Sequence, residues 1–95
     1  MVKNNKPGRQ DYSRYLKNRG LKVTEPRLQI FELFKNSETR HLSAEDIYKI
    51  FQQNQTDISL ATIYRVLTQF EQAELLIRHR FESDKSVFEL NDTEF

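Results

Sequence analysis

The sequence predicts a mostly α-helical fold that ends in a small β-hairpin, the order of elements in a winged helix-turn-helix. Three observations predict it. Apolar residues recur at intervals of three and four over most of residues 11–72, as on the buried face of amphipathic helices. Beyond Leu76 the period changes to two, which is typical of strands. Two glycines and two prolines among 95 residues also disfavour a turn-rich β fold.

The first helix is predicted over residues 11–20. Tyr12, Tyr15 and Leu16 fall on one side of it, and Gly20 is placed to end it.

The second and third helices each begin at a capping residue. Thr24 is the predicted N-cap of the second, where Pro26 is tolerated in the first turn. Ser43 is the predicted N-cap of the third, and Asp46 three residues later makes a weaker variant of the capping box.

The fourth helix covers residues 59–72, with Ser59 as its N-cap. One side of it is apolar and comprises Leu60, Ile63, Val66, Leu67 and Phe70. The opposite side is polar and small apart from Arg65, and no acidic residue precedes Glu71. After this helix, residues 77–83 and 85–90 alternate with period two around a polar centre, which indicates an antiparallel hairpin.

Composition limits the classes of function. The chain has 37% hydrophobic and 31% charged residues, which predicts one small domain with a modest core. The absence of cysteine excludes disulfides, thiolate metal sites and cysteine nucleophiles. No apolar run approaches the roughly 20 residues of a membrane span, and the N-terminus lacks the apolar centre of a signal peptide. We therefore expect a cytoplasmic protein.

Charge is unevenly distributed along the chain. Residues 1–40 contain ten Lys or Arg against four Asp or Glu, whereas residues 41–95 contain five against ten. A basic half is able to follow a phosphate backbone. We interpret residues 1–10 as a flexible basic arm and residues 11–91 as the winged-helix domain.

The polar face of the fourth helix is suited to a DNA major groove. An arginine such as Arg65 donates two parallel hydrogen bonds to guanine, and an aromatic group such as Tyr64 packs against a thymine methyl. Ser59 and Thr62 are placed near the helix N-terminus, where phosphate oxygens bind. Taken alone, the helix also fits an ordinary solvated surface. A winged helix used for protein association would instead have an apolar outer face, and an enzyme finds little support in two isolated histidines.

Four segments resemble the DNA-binding domain of the ferric uptake regulator family: "GLKVTEPRLQIFELF", "HLSAEDIY", "LATIYRVLTQFEQAELL" and "KSVFEL". The resemblance runs from about Gly20 to Leu90. It implies a metal-responsive transcriptional repressor that binds A/T-rich palindromic operators in double-stranded DNA as a homodimer. Mild departures are Ser59, where a glycine is common, and Glu74, where a small residue is common.

The resemblance also assigns roles to individual residues. Tyr64 and Arg65 match the base-reading pair, and Lys22 matches a lysine that enters an A/T-rich minor groove, where negative potential is concentrated. Arg27 matches a position near the phosphate backbone. Ala61 and Thr62 are expected to make close contacts with DNA.

A metal site is implied in the same way. His41 and Glu89 match two ligands of a site for Fe²⁺, or for Mn²⁺ or Zn²⁺ as substitutes, whose other ligands come from beyond the hairpin. His79 is interpreted as a strand residue rather than a ligand. Because two ligands make a poor transition-metal site, we expect no tightly bound metal in this chain. Residues 92–95 are interpreted as the start of a linker to a dimerisation domain, and we expect the chain itself to be a monomer or a weak dimer.

Overall fold

The computed structural model describes residues 8–81 and 85–91. Within them lie four helices and two strands: α1 Arg9–Asn18, α2 Glu25–Asn36, α3 Ala44–Gln53, α4 Leu60–Gln72, β1 Leu76–Arg80 and β2 Ser86–Leu90. The predicted winged-helix class is confirmed. The predicted linker at residues 92–95 and most of the predicted arm lie outside the described residues. Among the helices of the described part, none is long and apolar enough to cross a membrane.

Helix α1 begins at Arg9, two residues earlier than predicted and inside the range interpreted as a flexible arm. The backbone N–H of Gly8 donates to the Asp11 carboxylate at 3.0 Å, which satisfies one of the unpaired donors at the helix start. The Arg9 guanidinium then contacts Glu25 at 2.7 Å and Glu32 at 2.9 Å on α2. Polar contacts between helices produce no repeating pattern of apolar residues, so the sequence does not predict them.

The three predicted N-caps are confirmed. In each, a side-chain hydroxyl accepts a hydrogen bond from the backbone N–H three residues later: Thr24 from Arg27, Ser43 from Asp46, and Ser59 from Thr62. The Asp46 carboxylate also accepts from the Ser43 N–H at 3.0 Å, so the predicted variant of the capping box is formed. These caps determine where the functional segments before α2, α3 and α4 enter their helices.

Phe31 of α2 lies at the centre of the core. Its ring meets Tyr12 edge-on at 5.3 Å between centroids, stacks on Tyr15 at 5.5 Å, and meets Phe70 of α4 edge-on at 6.3 Å. One aromatic side chain therefore joins α1, α2 and α4. The opposite side of α4 remains on the surface as a result.

Hydrogen bonds attach the hairpin to the segment before α3 and to α4. Strands β1 and β2 pair antiparallel, with His79 opposite Val87. Leu42, just before α3, forms a single bridge with Phe88, in which the two backbones exchange hydrogen bonds of 3.0 and 2.8 Å. Arg78 of β1 donates to Glu71 of α4 at 3.1 Å. The bridge was not predicted, and it places the segment around residue 41 beside β2.

Candidate DNA-binding surface and metal-ligand cluster

The outward face of α4 is accessible along the part of the helix that was predicted to read DNA. Ile63, Val66, Leu67 and Phe70 are buried, whereas Ala61, Tyr64 and Arg65 are exposed. Tyr64 retains 47% of its surface, so its side chain is accessible to a partner. The first turn of α4 contains no acidic residue. Its positive N-terminal end is therefore open to an anionic partner.

Ser59 and Thr62 interact with each other at the start of α4. The Ser59 hydroxyl accepts from the Thr62 N–H at 3.1 Å and donates to the Thr62 hydroxyl at 3.0 Å. Both hydroxyls are thus used in the cap itself. Phosphate contacts at this helix end would come from the remaining lone pairs and hydrogens and from the free N–H groups of the first turn.

Tyr64 is directed towards α3 and the hairpin. Its hydroxyl donates to the Glu45 carboxylate at 2.5 Å. This hydrogen bond lowers the pKa of Glu45 and raises the pKa of Tyr64. The two side chains line a cleft with Arg78, Lys85 and Phe88 of the hairpin. Tyr64 and Arg65 are neighbours in the helix but face different surroundings. Tyr64 lines this cleft, whereas Arg65 lines a separate depression with Lys22 and Arg27.

Arg27 is engaged within the chain. Its guanidinium donates to the Lys22 carbonyl at 2.6 Å and, through Nη2 and Nε, to the Gln69 side-chain oxygen at 2.7 and 3.3 Å. It thus connects the segment before α2 to the last turn of α4. The position predicted to lie near phosphate has most of its donors committed to protein oxygens.

Four predicted contact residues line one shallow surface depression. They are Lys22, Arg27, Thr62 and Arg65, and Gln69 completes one side of the depression. Lys22 and Arg65 are both exposed, so two cations border the same surface. Ser59 and Ala61 stand at the start of α4, and Tyr64 opens onto the adjacent cleft. Four of the seven predicted DNA-binding residues therefore share this depression.

The two predicted metal ligands are brought together by the sheet. Because Leu42 is opposite Phe88, its neighbour His41 falls opposite Glu89 on the same face. His41 Nε2 lies 3.3 Å from Glu89 Oε1. His79 of β1 lies on this face too, with its Nε2 at 2.7 Å from the same oxygen. The ligand atoms of all three side chains lie within 4.8 Å of one another.

Arg40 holds the other oxygen of Glu89. Its guanidinium donates to Glu89 Oε2 at 2.8 Å. Arg40, followed by His79, lowers the pKa of Glu89 to about 2. The carboxylate is therefore ionised at neutral pH, as a metal ligand must be.

The donor set fits a divalent transition metal. Two imidazole nitrogens and a carboxylate oxygen suit zinc, iron and similar ions. Atoms that share one such ion at roughly 2.0–2.2 Å lie about 3–3.5 Å apart when they are neighbours. The 3.3 Å contact of His41 has this spacing, whereas the 2.7 Å contact of His79 is a hydrogen bond that would lengthen around an ion.

His79 is the functional candidate that sequence reasoning missed. It was interpreted as a strand residue, and it is one, but its side chain also joins His41 and Glu89. Pairing the two alternating segments in register would have found it, because His79 falls opposite Val87, two residues from Glu89 on one face.

Comparison with known proteins gives consistent matches. The family model described as "Ferric uptake regulator family" matches residues 18–95. A ferric uptake regulation protein from Cupriavidus metallidurans is 65% identical over 77 residues, which cover 81% of this chain and 54% of that protein. This chain thus spans about half the length of the curated relatives that it matches.

Two solved structures share the fold. A ferric uptake regulator from Vibrio cholerae aligns with a TM-score of 0.84 and 48% identity, covering 90% of this chain and 65% of that one. The regulator from Pseudomonas aeruginosa, solved with manganese, aligns with a TM-score of 0.80 and 49% identity, covering 85% of this chain and 60% of that one.

Proposed function

Because this chain belongs to the ferric uptake regulator family, we propose that it binds double-stranded DNA in a sequence-specific way, as the winged-helix domain of a metal-responsive transcriptional repressor. One observation carries the proposal: Arg65, on the exposed side of α4, borders the same depression as the exposed Lys22. The outer face here is polar, as groove recognition requires. An association module would need an apolar face at this place. The proposed activity is binding without a catalytic step.

The proposed contacts follow from side-chain chemistry. Arg65 donates two hydrogen bonds to guanine in the major groove, and the Tyr64 ring packs against a thymine methyl. Lys22 reaches an adjacent A/T-rich minor groove. Ala61, which is small and exposed at the start of α4, allows close approach, and Ser59 and Thr62 lie near the phosphates. Arg27 contributes by holding Lys22 in place.

The metal response is the second part of the proposal. We propose that His41 and Glu89 take part in binding Fe²⁺, or Mn²⁺ or Zn²⁺ in its place, and the relative solved with manganese supports this choice of ion class. Such an ion would supply a positive charge that joins the segment before α3 to β2. The operator is proposed to be an A/T-rich palindrome that two copies of the longer regulator occupy as a homodimer in the cytoplasm.

Fluorescence anisotropy with an A/T-rich palindromic duplex and a scrambled duplex tests the proposal. We expect tighter binding to the palindrome. Arg65→Ala should weaken that binding by about 1–3 kcal/mol and reduce the preference over the scrambled duplex. Arg14→Ala removes an equal charge from the exposed face of α1 and serves as the matched control. Equal binding to both duplexes by the unmodified chain would reject sequence-specific recognition.

A further inference from the structure

We propose that His79 is a metal ligand, so that His41, His79 and Glu89 form a three-donor site for a first-row divalent cation contained within the winged domain. The inference deepens the proposed metal response and rests on it only in taking His41 and Glu89 to face a cation. It changes the composition of the site, because it adds a histidine from β1 to ligands before α3 and on β2.

The distances converge on one carboxylate oxygen. His41 Nε2 and His79 Nε2 lie 3.3 and 2.7 Å from Glu89 Oε1. The two rings meet edge-on with their centroids 5.3 Å apart, so neither blocks the other from a common point. A cation placed among these three atoms at ordinary ligand distances of roughly 2.0–2.2 Å needs the 2.7 Å contact between His79 and Glu89 to lengthen.

Arg40 is placed to support the site. It binds Glu89 Oε2, the oxygen that the two histidines leave free. Hydrogen-bonded carboxylates of this kind are common around metal ligands, where the outer contact orients the ligating oxygen. The ion pair can therefore persist when a cation binds Oε1. The cluster is also open to solvent, since His41 retains 48% of its side-chain surface and His79 39%.

The backbone holds the three donors independently of any ion. His41 is fixed by the Leu42–Phe88 bridge, and His79 and Glu89 are fixed by the β1–β2 register. A bound cation would therefore connect all three strand-like segments of the wing. This links metal occupancy to the position of the hairpin relative to α3, which carries Glu45, the partner of Tyr64.

Titration of the 95-residue chain with Zn²⁺ by calorimetry, and with Co²⁺ by visible absorption, tests the proposal. We expect His79→Gln to weaken Zn²⁺ binding at least tenfold and to alter the Co²⁺ spectrum. His41→Gln should have a comparable effect. Asn36→Asp, an exposed change at the end of α2, leaves both imidazoles in place and serves as the control. Circular dichroism checks that each variant is folded.

Nitrogen-15 NMR of the imidazoles in the unmodified chain separates a ligand from a hydrogen-bond partner. With Zn²⁺ bound, we expect the His79 Nε2 signal to shift with loss of its proton. An Nε2 that keeps its proton at saturation, unchanged affinity in His79→Gln, or no binding by the unmodified chain would overturn the inference. If His41→Gln alone weakens binding, only the role of His79 fails. If neither variant does, the proposed metal response at this site fails as well, and DNA binding is judged separately.

Discussion

The guanidinium of Arg27 lies between two segments that both carry proposed DNA contacts. It holds the Lys22 carbonyl on one side and the Gln69 side chain of α4 on the other. The planar fork of arginine can serve two acceptors at once, whereas an ammonium is a compact point charge without this geometry. Arg27 therefore fixes the distance between Lys22 and Arg65, which line the same depression.

Arg27→Lys should lower the free energy of unfolding by about 1–3 kcal/mol, because charged hydrogen bonds to the partly buried Gln69 oxygen and to the exposed Lys22 carbonyl are lost. Operator affinity should fall as well, since Lys22 is no longer held beside α4. Urea denaturation and anisotropy measure the two effects. In a double-mutant cycle, Gln69→Ala should be much less harmful when Arg27 is already replaced. Strictly additive effects would show that the two side chains are not coupled.

Three helices end in the same way, although only one of their terminal residues was predicted. Beyond the last turns of α1, α3 and α4, the residues with positive φ are Gly20 at 79°, Gln55 at 58° and Glu74 at 65°. In each case the following residue's N–H donates back to a carbonyl five positions earlier, which is the Schellman arrangement. A glycine in the sequence predicts such a helix end. Glutamine and glutamate do not predict one, because residues other than glycine rarely adopt positive φ.

Glu74→Gly should raise the free energy of unfolding by about 1 kcal/mol, because glycine adopts positive φ without the Cβ penalty. Gly20→Ala is the matched opposite change and should lower it by a similar amount, since its surroundings leave room for a methyl group but its backbone does not suit one. Thermal denaturation of both variants measures this pair. A destabilised Glu74→Gly would show that its side chain matters more than its backbone.

Local patterns predicted most of the fold and part of the site. The caps at Thr24, Ser43 and Ser59 lie within a few residues of the helices that they begin, so sequence spacing was sufficient. The Leu42–Phe88 bridge joins positions 46 residues apart through two backbone hydrogen bonds, and no repeating sequence pattern predicts it. Because this bridge brings His41 beside Glu89, and the hairpin register adds His79, the full cluster was beyond what periodicity predicts.

The capping box of α3 should respond to acid. The backbone N–H of Ser43, together with its hydroxyl, lowers the pKa of Asp46 from its ordinary value of 3.8. A carboxyl with a lowered pKa stabilises the fold at pH values above its ordinary pKa. This stabilisation is lost as the pH falls through the lower pKa of the folded state. Asp46→Asn should therefore be less stable than the unmodified chain at pH 6, and the difference should shrink below about pH 4.

Urea denaturation across pH 2–7 measures the Asp46 effect. Ser43→Ala removes the hydroxyl that accepts from the Asp46 N–H and should cost about 0.5–2 kcal/mol. Its cost should persist at low pH more than that of Asp46→Asn, because a hydroxyl does not titrate in this range. A constant difference for Asp46→Asn at every pH would mean that Asp46 acts without its charge.

The whole molecule combines a near-neutral net charge with a local cationic surface. The net charge is +1, so long-range attraction to DNA is weak overall. The acidic excess belongs to residues 41–95, but the first turn of α4 has none of it. We therefore expect the proposed affinity for DNA to come from short-range contacts around Lys22 and Arg65. Such contacts release few counterions, and binding should weaken only moderately between low and physiological salt.

Self-association of this chain should be weak because little apolar surface is exposed. Stable interfaces bury roughly 1,000 Å² or more around an apolar centre. Among the described residues, the large apolar side chains that remain exposed are Tyr64, Ile77 and Phe81. Three partly exposed side chains supply much less apolar area than an interface of this size needs.

A palindromic duplex should accordingly bind two copies of this chain one after the other, each with the affinity that a single half-site duplex shows. Two linked domains would gain affinity from the second contact, but separate ones bind independently. Anisotropy on duplexes carrying one and two half-sites gives the affinities, and sedimentation velocity gives the stoichiometry. Repeating the titration at two salt concentrations should shift both duplexes equally. Binding to the palindrome that is tenfold or more tighter per site would instead reveal a dimer contact formed by the winged domain itself.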